Sequence, residues 1–246
     1  CQASPMLMST LLAALNTICS LKNIKYIQEV VALQLIPFIL DVYDDCLKDN
    51  STDVMAFFCA IATGDPVVSK IPLLACKDTL ANFLLQNIAT NVKTNDHVVI
   101  SKSLQLVQYL IHLSTTFITK FSEKSILCDS LLSILSTHIS KISPEYSCPI
   151  CAKCCDLIRV MCLHDSKNIV RFIVGEIFDV IVDAIETTGD VDSTALAFAS
   201  ITNTLTHLIP NEVNKAKYRE LLGKAGACNP LVEGLSLFYQ SDVNIA

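Results

Sequence analysis

Gly223-Lys224-Ala225-Gly226-Ala227-Cys228-Asn229-Pro230-Leu231-Val232-Glu233-Gly234-Leu235 decides how the chain is read. Glycine closes one helix, the chain turns, and an apolar helix restarts after Asn229-Pro230. Glycine adopts the backbone shapes that end a helix, and proline fits the first turn of the next, where its missing N–H is no loss. Weaker copies of this punctuation recur upstream. Leu35-Ile36-Pro37-Phe38-Ile39 is a clear one, and Asp78-Thr79-Leu80, Asp129-Ser130-Leu131-Leu132 and Phe178-Asp179-Val180-Ile181 are degenerate ones. Aligned on the proline column, Pro37, Thr79, Ser130, Asp179 and Pro230 stand 42, 51, 49 and 51 residues apart. Helical repeats run about 40–47 residues, so three of the four spacings imply slightly longer loops.

Between these marks, apolar residues recur at helical spacing and nowhere alternate as in strands. Ser4-Pro5 supplies a cap and a proline for a first helix to Leu21. Further helices are expected over 23–33, 36–48, 54–63, 69–76, 78–90, 98–115, 116–124, 127–139, 151–163, 167–174, 176–187, 193–208, 214–224 and 229–239. Polar loops are expected at 49–53 and 91–96, and Lys141–Tyr146 is the best linker candidate. The expectation is an all-α chain organised as one domain over 1–246, without a domain boundary.

The glycine, small residue, apolar residue, proline, Leu-Val order resembles the junction between the first two helices of an armadillo repeat. The resemblance implies a right-handed α-solenoid of about five armadillo/HEAT-like repeats. It also implies a non-enzymatic protein-interaction scaffold, with a protein or peptide partner bound along a concave face lined by third helices. Better-known members carry on that helix a Trp and an Asn that grips an extended peptide. This chain has no Trp, and Thr17, Ala60, His112, Cys162 and His207 stand at the Asn position, so any groove binds by another pattern. Its polar third-helix positions are Gln105, Gln108 and His112, then Asp156 and Arg159, then Asn203 and His207. Stacked repeats would join them into one stripe, and Gln105, Gln108, His112, Arg159, Asn203 and His207 are the expected partner-binding residues. Ordinary exposed helix polarity accounts for the same residues equally well.

Composition narrows the classes. The chain is 52% hydrophobic and 17% charged, with mean hydropathy +0.49, which raises the question of a membrane span. A span needs about 20 predominantly apolar residues, and the uncharged stretch 1–21 is interrupted by seven polar ones and lacks the basic start of a signal peptide. A solenoid's continuous internal layer explains the apolarity without a membrane. A net charge of −6 argues against a nucleic-acid partner. Six glycines and the lack of phosphate-loop or nucleophile-elbow motifs argue against an enzyme, and no cofactor is expected. Twelve cysteines inside apolar helical segments read as reduced, buried thiols of a cytoplasmic, or nuclear, protein. The missing initiator Met reads as a fragment of a longer solenoid.

The chemical candidate is Cys148-Pro149-Ile150-Cys151-Ala152-Lys153-Cys154-Cys155, followed by Cys162 and His164. Overlapping Cys-x-x-Cys steps favour tetrahedral zinc, but zinc sites ordinarily use two separated pairs. On a helix, Cys151, Cys154, Cys155 and Cys162 share one face and serve as small core residues. Asp41, Asp44, Asp45 and Asp49 read as a solvated helix end. Two other functions fit the same chain: a HEAT-like or formin-type regulatory segment docking intramolecularly, and a metal or thiol enzyme built on the 148–164 cluster.

Overall fold

The computed structural model describes residues 4–64, 66–123, 125–138, 144–187, 212–229 and 232–233. Among them every regular element is helical and none is a strand. The helices are α1 (Pro5–Ser20), α2 (Ile24–Ala32), α3 (Leu35–Val42), α4 (Ser51–Ala62), α5 (Pro66–Ala75), α6 (Lys77–Thr94) and α7 (His97–Leu113). They continue as α8 (Thr115–Glu123), α9 (Ile126–Ser133), α10 (Pro144–His164), α11 (Ser166–Val174), α12 (Ile177–Thr187) and α13 (Glu212–Lys224). A π-helical turn, Tyr43–Leu47, and a 3-10 turn, Lys48–Asn50, carry α3 into α4, and a second π turn, Ile134–His138, extends α9. The helix expected over 193–208 and most of that over 229–239 lie outside the described residues.

The chain forms two compact units, one of Cys1–Asn91 with Val98–Phe121, the other of Val92–His97 with Ser122–Ala246. The division falls within the last turn of α8. In the first unit α1 packs along α4, and α2 packs on α3 and α5. In the second, α9 and its π turn pack on α10 and α12, and α11 contacts α9, α10 and α12.

Local chemistry sets the boundaries. Asn23 and Asp165 each accept a hydrogen bond from the backbone N–H two residues on, Lys25 at 3.0 Å and Lys167 at 2.9 Å, and so start α2 and α11. Ser4 makes no such bond, and the proline at the first turn alone marks the start of α1. The polar stretches 49–53 and 91–96 are shorter loops than the sequence suggests. Ser51 already opens α4, and α6 runs to Thr94, because exposed polar residues are tolerated on the outer side of a helix whose inner side is packed. Pro144 likewise opens α10 inside the expected linker.

Glycine does close α13. Gly226 takes a left-handed φ of +82°, its N–H donates to the Gly223 carbonyl (3.1 Å), and the Ala227 N–H donates to that of Leu222 (3.3 Å). This pair of bonds is the Schellman motif, and only glycine enters that backbone shape without strain. Pro230 itself is outside the described residues.

Two helix junctions match, while the one before α9 has a right-handed Ser125 and places Ser130 fifth in its helix. Before α3, Gln34 has φ +52°, the Leu33 N–H bonds the Glu29 carbonyl and the Gln34 N–H that of Val31. Before α12, Glu176 has φ +58°, the Gly175 N–H bonds Arg171 and the Glu176 N–H bonds Ile173, with the same offsets. Each left-handed residue stands three places before its aligned proline-column residue, Pro37 or Asp179. Pro37, Thr79 and Asp179 are each the third residue of their helices, α3, α6 and α12.

Candidate functional site

The long helix α7 buries Val99, Ile100, Ser103, Leu104, Leu106, Val107, Leu110 and Ile111. Spacings of three and four residues place Gln105, Gln108 and His112 together on the side away from this stripe. Gln105 and Gln108 are half-buried and His112 is exposed. Gln105 Nε2 donates to Tyr109 Oη at 2.8 Å, which holds the amide along the helix. In the second unit, Arg159 and Asp156 of α10 form an ion pair at 2.6 Å, both half-buried. Arg159 therefore presents a neutralised pair rather than a lone cation. Asn203 and His207 lie outside the described residues.

The column aligned with the family's Asn does not form a uniform surface. Thr17 and His112 are exposed and Ala60 is half-buried, but Cys162 is buried in the core.

The cysteine cluster is a core. Cys151, Cys154, Cys155 and Cys162 are all buried on α10, with Cys128 of α9 buried beside them. A hydrogen bond that the Cys151 thiol makes to Cys155, together with burial, pushes Cys151 well above its ordinary value, and burial does the same for Cys154. Burial raises Cys128 to about 11, despite the lowering influence of the Arg171 guanidinium, and raises Cys162 to about 12. As free thiols these groups therefore hold their protons near neutral pH and pack as small apolar side chains. His164 is exposed at the end of α10. Among the described residues no group of three or more His, Cys, Asp or Glu side chains is placed to hold a metal ion. Nor is any helix among them long and apolar enough to cross a membrane.

Two buried polar networks were not anticipated from the sequence. In the first unit Asn91 and Ser103 both donate to Asn87 Oδ1 (3.0 and 3.4 Å), Asn87 Nδ2 donates to Tyr43 Oη (2.7 Å), and Tyr43 bonds Ser51 Oγ (2.6 Å). Ser51 in turn donates to the Lys48 carbonyl at 2.6 Å, so one chain of bonds ties the π turn, α4, α6 and α7. Burial pushes the Tyr43 phenol upward, and its bonds to Ser51 and Asn87 oppose the shift. In the second unit Asn168 donates to the Met161 carbonyl (2.9 Å) and Ser122 Oγ (3.2 Å). Arg171 donates to Asn168 Oδ1 (3.1 Å) and the Ser122 carbonyl (2.6 Å). The available signal was a polar residue in an apolar register: Asn87 stands among Leu80, Leu84 and Ile88, and Asn168 one turn before Phe172.

Comparison with protein families, curated proteins and solved structures finds no match. Function therefore rests on this chain's own geometry.

Proposed function

We propose that the chain is a non-enzymatic protein-interaction scaffold, a right-handed α-solenoid of about five armadillo-like repeats that binds a protein or peptide partner through its third helices. The observation that carries this reading is the junction shared by the α2–α3 and α11–α12 pairs: the same left-handed residue, hydrogen-bond offsets and distance from the proline column. The left-handed residue and the bond offsets are common where helices end, so the weight falls on their shared distance from the aligned Pro37 and Asp179. The reading gains from the polar faces of α7 and α10, which offer amide, imidazole and ion-pair groups on rigid helices. It is compatible with the buried α10 thiols, which fit the core as small side chains.

The test is capture of partners by wild-type chain and by single variants, with thermal melting as control. His112→Glu changes an exposed side chain and should cost within about 0.5 kcal/mol of stability, whereas a contact at the centre of an interface costs about 2 kcal/mol of binding or more. Loss of captured proteins with an unchanged melting temperature supports the α7 face. Arg159→Glu asks the same of α10. Capture undiminished in both variants overturns binding by these third-helix faces.

A further inference from the structure

We draw no further inference here: the strongest candidate, the buried Cys128–Cys162 pair beside Arg171 where α9, α10 and α11 pack together, belongs to the core already described, and burial holds both thiols in their protonated form near neutral pH.

Discussion

Helices α4 and α10 are both packed against neighbouring helices, and they fill their cores with opposite materials. Helix α4 uses Phe57 and Phe58, whose rings meet edge-on at 5.4 Å, and Phe58 reaches Phe83 at 5.9 Å, which in turn meets Tyr43 at 4.6 Å. Helix α10 uses Cys151, Cys154, Cys155 and Cys162 with Leu157, Ile158 and Met161. An aromatic ring buries about 150–250 Å² and concentrates stability in few residues. A thiol is small, so it spreads stability over many residues and adds a titratable proton to the core. The first unit should therefore be brittle to single truncations, and the second sensitive to alkali.

The largest effect tests the brittleness. Phe58→Ala should cost about 3–5 kcal/mol in denaturant titration, with accelerated amide exchange in α4 and α6. Cys154→Ala should cost markedly less, since it removes a single atom from the core. Equal losses would show that the two cores are not built differently. Next in size, Asn87→Ala should cost about 1–3 kcal/mol, because it takes the buried acceptor from Ser103 Oγ and removes one bond each from Tyr43 Oη and Asn91 Nδ2.

Alkaline titration sharpens the other half. A thiol that holds its proton more tightly in the fold than in the unfolded chain contributes stability that is complete below the ordinary value of 9.0. That contribution is lost as pH rises toward the folded value, about 11 for Cys128 and about 12 for Cys162. Stability should fall from pH 9 upward by at most about 1.4 kcal/mol per thiol per pH unit, and Cys128→Ala should flatten the slope. A slope unchanged by that substitution would mean that the burial of Cys128 does not govern it. In parallel, a thiol reagent at neutral pH should modify exposed Cys228 quickly and Cys128, Cys151, Cys154, Cys155 and Cys162 only as the fold opens. The smallest effect is expected at the surface: Arg159→Ala, which breaks the ion pair with Asp156, should change stability by about 0.2–1 kcal/mol.

The all-helical class was legible because apolar residues recur at i, i+3 and i+4 from Leu12 onward and no stretch alternates. Most helix positions were legible for the same reason. The π turns were not, since Tyr43-Asp44-Asp45-Cys46-Leu47 has no local signature that separates a wide turn from an α turn. The polar networks were half legible: Asn87 stood visibly in an apolar stripe, but its partners Tyr43 and Ser103 come from other helices that only folding assembles. At the candidate site, periodicity sufficed to group Gln105, Gln108 and His112. It could not foresee that Arg159 would be paired with Asp156 one turn earlier, whereas the burial of Cys162 was legible from the helix face it shares with Cys151, Cys154 and Cys155. Alignment fixes register along a helix, whereas exposure depends on what is packed around it.

The π turn at Tyr43–Leu47 bears on how this chain can change length. A π turn closes its hydrogen bonds one residue later than an α-helix does, so it takes up one extra residue within a helical run while the helices before and after it keep their faces. The exposed carboxylates Asp44 and Asp45 of this turn can be exchanged freely. Leu47, which is fully buried, and Tyr43, which bonds Ser51 and Asn87, cannot. The turn is therefore where the first unit should best absorb the loss of one exposed residue.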